Sequence, residues 1–352
     1  MQDLSAALAE RQRQQLYRRR QTLDGPQNVE VQIDGQTYLS FCSNDYLGLA
    51  SHPAVIDALK AGADRFGVGS GAAHLITGHS YAHQVLEEEL ADFVGRPRAL
   101  LFSTGYMANL GVVSALMGRG DSVFEDRLNH ASLLDAAALS GARLVRYAHA
   151  DSVALQHKLE NTETRRRLIA TDSVFSMDGD CAPLGKLQDI ALAHDGWLLA
   201  DDAHGFGVLG PEGRGYCVDQ LGAGSDNTIL MATLGKALGT GGAFVAGSDE
   251  LIETLIQQAR TFIYTTATSP ALAWATRTAL RLVREGSDLR GSLFDNVSYF
   301  REGASQLGLP LMESVSAIQP LLVGDSAMAM QLSESLRSHG ILVTAIRPPT
   351  VP

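Results

Sequence analysis

A chain of 352 residues with 45% hydrophobic and 19% charged side chains can bury a large core, and its length allows two domains or one large domain with a smaller satellite. The formal charge of −11 excludes a general nucleic-acid binder, since basic residues cluster only in the short runs Arg18-Arg19-Arg20 and Arg165-Arg166-Arg167. No apolar stretch approaches the roughly 20 residues a membrane-spanning helix needs, and the opening "MQDLSAALAERQRQQLYRRR" lacks the apolar segment of a signal peptide. Cys42, Cys181 and Cys217 are too widely spaced for a disulfide framework or a CxxC motif, so a cytoplasmic protein that meets neither membrane nor nucleic acid is expected.

In chain order, apolar residues recurring every three or four positions predict helices over 54–66 ("AVIDALKAGADRF") and 83–94 ("HQVLEEELADFV"). Short apolar runs then alternate with helical or turn-like segments: "RALLFSTG" (98–105), "RLVRYAH" (143–149), "RRLIATDSVF" (166–175), "GWLLADDAH" (196–204), "NTILMATLG" (227–235) and "GAFVAGS" (242–248). That alternation predicts an α/β fold, a mostly parallel sheet with helices on both faces. A third helical pattern follows in "DELIETLIQQART" (249–261), and the polar "REGSDLRGS" (284–292) reads as a domain boundary. Beyond it, "AIQPLLVGD" (317–325) and "QLSESLRSHGILVTAI" (331–346) suggest a small α+β domain. The expected division is an N-terminal helix and arm over 1–45, a large domain over 46–283 and a small, apparently truncated domain over 284–352.

Function in parallel α/β sheets gathers at the carboxyl ends of the strands. There "GWLLADDAHG" ends an apolar strand in Asp201-Asp202 and then His204, a carboxylate and an imidazole suited to a cationic ring nitrogen and its neighbouring polar group. "ATLGKALGTGG" (232–242) sets Lys236 among glycines just after the next strand, where its amine can condense with an aldehyde. An acidic partner and a lysine so placed meet the demands of pyridoxal 5′-phosphate. "LFSTGYMANLG" presents the N–H groups of Gly105 and Tyr106 at a helix start, a site for a phosphate. "DRLNHASLLDAA" puts His130 at another helix start, where an imidazole can stack on a pyridine ring and handle protons near neutral pH.

Together "SNDYLGL" (43–49), "LFSTGYMAN", "DRLNHASLLDA", "SVFSMDGD" (173–180), "DDAHGFGVLGPEGRG" (201–215) and "TLGKALG" resemble the α-oxoamine synthases, from about residue 4 to the end. That family consists of pyridoxal-phosphate enzymes of the aspartate-aminotransferase fold (type I), which join an amino acid to an acyl thioester with loss of CO2. "FSMDGD" through "APL", "SAIQPLLVGD" and "VTAIRPPTVP" most resemble its biotin-biosynthesis branch, which condenses L-alanine with a pimeloyl group carried on CoA or on acyl carrier protein. 2-Amino-3-ketobutyrate CoA ligase, 5-aminolevulinate synthase and serine palmitoyltransferase are the alternative branches. The resemblance implies that Lys236 bonds to the cofactor aldehyde and moves the α-proton, Asp201 pairs with the pyridinium nitrogen, and His204 and Ser176 meet the ring hydroxyl side. It further implies that His130 stacks over the ring, that Gly105, Tyr106 and Thr233 hold the phosphate, and that Arg18, Asn44, His130 and Thr350 meet the substrates. A homodimer with its active site at the interface is implied too, with Thr265 and Thr266 reaching the neighbouring subunit's phosphate. The pattern departs at Ala73, His74 and Phe206, which bear on substrate fit, and a carboxylate-binding arginine expected further on leaves Arg347 as the nearest candidate.

Other features carry less. "GVGSGA" (67–72) resembles half a dinucleotide fingerprint but follows a helical pattern rather than a strand. His74, His79 and His83 have metal-like spacing without a companion carboxylate or thiol, so no metal is expected. Met107, Met117 and Met231 read as core filler. A catalytically silent member of the fold is the other class of reading, and it should lack the lysine or its acid, both present here as Lys236 and Asp201.

Overall fold

The computed structural model describes residues 3–351 other than Gln15, Ala223 and Pro349. Its strands are β1 (Glu30–Ile33), β2 (Gln36–Ser40), β3 (Arg98–Phe102), β4 (Ser122–Asp126), β5 (Arg143–Tyr147), β6 (Arg167–Asp172), β7 (Trp197–Asp201), β8 (Thr228–Thr233), β9 (Ala243–Gly247) and β10 (Ile341–Leu342). Seven of them form one sheet in the order β3-β9-β8-β7-β6-β4-β5, in which only β9 runs against its neighbours.

The apolar runs are unbroken because this sheet is covered on both faces. Along β8, Leu230 and Ala232 enter one core while Ile229 and Met231 enter the other, and Phe244 and Val245 of β9 divide the same way. Helices Tyr81–Val94, Leu184–Ala193 and Pro270–Glu285 close the first face; helices Gly105–Leu116, Ala131–Ser140 and Asp249–Gln258 close the second. Their side chains reach into the sheet from alternate turns, Val112 and Val113 on one helix and Leu86 and Leu90 on another all being fully buried. The helices expected over 54–66, 83–94 and 249–261 are Pro53–Phe66, Tyr81–Val94 and Asp249–Gln258, the last followed by the short helix Arg260–Ile263.

Two strand regions go beyond the runs read from sequence. β4, "SVFED", sits between β5 and β6 with all five residues buried, three of them polar, so it lacks the apolar signature of its neighbours. β1 and β2 form an antiparallel hairpin through Asp34 and Gly35, both with positive φ (52° and 76°), as a tight Asp-Gly turn requires.

The chain divides into two compact units, one of residues 1–43 with 322–352 and one of residues 44–321. Parallel pairing of β10 with β2, Ile341 opposite Leu39 and Leu342 opposite Ser40, ties the C-terminal segment to the N-terminal hairpin. These limits differ from the expected 45 and 283: the stretch "REGSDLRGS" is a junction at Gly286 between helices Pro270–Glu285 and Ser287–Gln306, both within the larger unit. Among the described residues, no helix is long and apolar enough to cross a membrane.

Candidate active site

β6, β7 and β8 end side by side, with Asp172 opposite Asp201 and Asp201 opposite Met231. Two carboxylates therefore stand at adjacent strand ends, both buried. Asp172 accepts a hydrogen bond from the His130 backbone N–H at 3.0 Å, and burial, then the Asp201 charge, push its carboxyl well above the ordinary range. Asp201 is held differently. Its Oδ2 accepts from Asn109 Nδ2 at 2.8 Å and its Oδ1 from the Ala203 N–H at 3.1 Å.

The same Asn109 amide donates to Ser132 Oγ at 2.8 Å, and Ser132 Oγ lies 2.8 Å from His130 Nδ1. Because the Ser132 backbone N–H also points at His130 Nδ1, this network assigns Nδ1 as the acceptor and Nε2 as the protonated nitrogen. Asp201, Asn109, Ser132 and His130 thus form one chain from a buried strand end to an exposed imidazole that caps helix Ala131–Ser140.

Lys236 follows β8 on a glycine-bearing turn. Its Nζ lies 2.8 Å from His204 Nε2, and Tyr46 OH lies 2.7 Å from His204 Nδ1. Burial lowers the lysine amine from its usual range, opposed by Asp201 and then Asp172. Burial, followed by Lys236 and His130, brings His204 down to about 3. The pair is therefore a neutral imidazole beside an amine eased toward its uncharged, nucleophilic form. Gly239 lets the turn close on the segment ahead of it: at φ +65°, an added Cβ would stand 2.2 Å from Ala50 N and 2.5 Å from Leu49 C.

The third wall is the start of helix Gly105–Leu116. Thr104 caps it, accepting from the Met107 N–H at 3.1 Å, which leaves the first helical N–H groups, those of Gly105 and Tyr106, without intrahelical acceptors. Tyr106 is exposed, donates its hydroxyl to Asp135, and meets His130 edge-on at 6.4 Å between ring centroids. Thr233 at the end of β8 donates to Gly242 O at 3.0 Å and accepts from the Gly235 N–H at 3.3 Å. Ser176 is half-buried on the turn after β6, and Asn44 Oδ1 lies 3.3 Å from Tyr46 OH.

Of the residues expected from sequence, the structure joins Lys236 to His204 directly and Asp201 to His130 through Asn109 and Ser132. Arg18 and Thr350, both exposed, belong to the smaller unit. His74, His79 and His83 pack on one another, with His83 Nε2 on Thr268 O at 2.8 Å and His74 stacked on Phe262 at 4.8 Å. Sequence reasoning passed over Tyr46, Asn109, Ser132 and Asp172. The signal for Asn109 was a lone amide in the otherwise apolar helix "GYMANLGVVSAL", and Tyr46 stood inside "SNDYLGL" itself.

Residues 36–352 match the class I and II aminotransferase family. The chain belongs to that family. The 8-amino-7-oxononanoate synthase of Nitrosococcus oceani is 62% identical over 98% of this chain and 92% of its own length, and that of Pseudomonas entomophila is 59% identical over 99% and 90%. Among solved structures, Sphingomonas wittichii serine palmitoyltransferase superposes with a TM-score of 0.92 at 30% identity, covering 99% of this chain and 89% of that one. The 8-amino-7-oxononanoate synthase of Francisella tularensis superposes with a TM-score of 0.76 at 34% identity, over 89% of each chain. Serine palmitoyltransferase of S. paucimobilis, solved with a bound PLP–myriocin aldimine, gives a TM-score of 0.92 at 29% identity over 99% of this chain and 89% of that one. The fold is accordingly that of the type I pyridoxal-phosphate enzymes.

Proposed function

We propose that this protein condenses L-alanine with a pimeloyl thioester, on CoA or acyl carrier protein, to give 8-amino-7-oxononanoate, CO2 and the free thiol. The observation that carries the reading is the desolvated Lys236 amine beside neutral His204, one strand over from buried Asp201. Pyridoxal phosphate fits this donor set: an amine for its aldehyde, a carboxylate for its ring nitrogen, and free helix-start N–H groups for its phosphate. Relatives at 58–62% identity carry the same activity in their names, against 30% for a serine palmitoyltransferase, which favours alanine and a pimeloyl thioester over serine and a longer acyl group.

Pyridoxal phosphate, when bound, supplies the electron sink for the pair left on the amino-acid α-carbon, on proton removal and again on loss of CO2. Lys236 Nζ would hold the cofactor by its aldehyde, and the same amine is placed to take the α-proton of alanine. Asp201, fixed by Asn109 and the Ala203 N–H, would hold the ring nitrogen of the cofactor in its protonated form. Asp172 accepts the His130 N–H and so orients the His130 backbone, while burial and the Asp201 charge push its carboxyl above the ordinary range. His130, with its proton at Nε2 on the exposed side, returns a proton to the product α-carbon.

Assembly as a homodimer is part of the proposal. Val68, Leu75, Ile76, Tyr81 and Tyr264 expose apolar surface on segments that Ala73 and Thr266 pair together, a concentration suited to a second copy. Thr265 and Thr266 sit in that same region. Light scattering should give twice the chain mass.

The test of the reaction is incubation of the cofactor-loaded protein with L-alanine and pimeloyl-CoA or pimeloyl-acyl carrier protein, with glycine and serine as competitors. Alanine-dependent release of CO2 and thiol with a nine-carbon amino-ketone product is expected. Preference for glycine or serine would move the protein to another branch, and no release with any pair would remove the reading.

A further inference from the structure

The contact between Lys236 and His204 continues outward to a third group. Tyr46 OH lies 2.7 Å from His204 Nδ1, while the two rings are tilted by 46° with centroids 6.1 Å apart, so they meet hydroxyl to nitrogen rather than face to face. Tyr46 is fixed from behind. Its N–H donates to Asn44 O at 2.9 Å, and the Asp45 carboxylate accepts from the N–H groups of Leu49 at 2.9 Å and Ala50 at 3.1 Å. The turn carrying Lys236 packs on this same backbone at Gly239, so the tyrosine and the lysine hold one register.

A phenol has one proton to donate. His204 Nδ1 at 2.7 Å is a closer acceptor than Asn44 Oδ1 at 3.3 Å. A neutral imidazole that accepts at Nδ1 carries its own proton at Nε2, and here Nε2 faces Lys236 Nζ. An amine can accept that N–H only through its lone pair, as the uncharged form. The other ionisable groups facing the pair, Asp201, Asp172 and His130, do not touch His204 Nδ1, which leaves Tyr46 to decide the tautomer. Burial holds the Tyr46 phenol above its ordinary range, so it remains a donor.

We propose that Tyr46 is a positioning residue for the reaction: its O–H, given to His204 Nδ1, fixes the imidazole as the Nε2–H tautomer and so aims a proton donor at Lys236 Nζ. The inference rests on the assignment of Lys236 as the cofactor-binding amine. It concerns a proton arrangement within the chain, and it can be read without any turnover.

The test uses the full chain freed of cofactor. 15N resonances of His204 should show a protonated Nε2 and an unprotonated Nδ1 in the wild type; a protonated Nδ1 overturns the proposal whatever any variant does. In Tyr46→Phe, which keeps the ring and removes the hydroxyl, the resonances should move to a mixture of tautomers. Competitive trace labelling of Lys236 with acetic anhydride near neutral pH should fall about tenfold in that variant, because an imidazole free to accept at Nε2 stabilises the ammonium form. Were Tyr46 needed only for packing, Tyr46→Phe would label like the wild type and only Tyr46→Leu would differ; that pattern also overturns the proposal. Failure of the wild type to capture pyridoxal phosphate would sink the assigned function instead, leaving these measurements unaffected.

Discussion

Lys236 is one of four lysines; Lys60, Lys158 and Lys186 all lie exposed on helices, whereas Lys236 is half-buried against His204. No other amine can take its place, so Lys236→Ala should remove the visible absorbance of bound cofactor and lower turnover by about 1000-fold, the scale of a lost proton-transferring group. Turnover near wild type in that variant would refute the assignment. Asp201→Asn keeps one acceptor for the Asn109 amide but loses the charge and turns the second acceptor oxygen into a donor, so the variant should still bind cofactor while kcat falls about 100-fold or more, read by steady-state kinetics. These two residues were legible from sequence because a strand ending in "DD" and a lysine among glycines are chemically conspicuous. Asn109 and Ser132 were not, since an amide and a hydroxyl on apolar helices acquire meaning only when the helices meet over β7.

Strand-end turns bring the site together, and glycine is what lets one of them close. Gly239→Ala would force a Cβ into the Ala50 backbone at a φ that disfavours any side chain, so it should cost about 3 kcal/mol of stability, read from a denaturant midpoint, and weaken cofactor capture with it. The turn bearing Ser176 is held by charge. His149 sits 3.0 Å from Asp126 Oδ1 at the end of β4 and 2.8 Å from Asp180 Oδ2 on the turn after β6, and these carboxylates, Asp126 first, push it up to about 10. Because the folded protein holds this proton more tightly than the unfolded chain, the clamp contributes fully below the ordinary histidine value of about 6.5 and is lost as pH rises from there through about 10. His149→Gln should therefore lower Tm most in mildly acidic buffer, with the gap to wild type closing toward pH 10. A gap that is constant across that range would show that His149 acts by packing against Phe175 alone. At this scale the sequence announced strands whose residues are apolar on both faces and concealed β4, where buried Ser122, Glu125 and Asp126 interrupt the run. The Asp34-Gly35 hairpin of β1 and β2 was passed over in the sequence, because so short a pair gains its meaning only from β10, far along the chain.

For the whole molecule, the parallel α/β plan followed from alternation of apolar runs and helices, whereas the division into units did not, because it depends on a pairing between residues 39–40 and 341–342 that no local pattern announces. Net charge is legible at once and sets a problem for function. A protein of formal charge −11 must attract a thioester that is itself acidic, and long-range repulsion slows such an encounter unless local basic surface offsets it. Arg18, Arg19 and Arg20 are all exposed and form such a surface on the smaller unit. Replacing the three by glutamate changes the formal charge from −11 to −17 and removes that surface, so the KM for the pimeloyl thioester should rise about tenfold at low salt. L-Alanine is a zwitterion with no net charge to steer, and its KM should stay within about twofold. Added salt separates this from a local distortion of the fold: screening over roughly 10 Å at 0.1 M should raise the wild-type KM for the thioester and lower that of the variant, bringing the two together. Parallel changes in both substrates' KM, or a gap indifferent to salt, would show that the arginine run acts through structure rather than through its field.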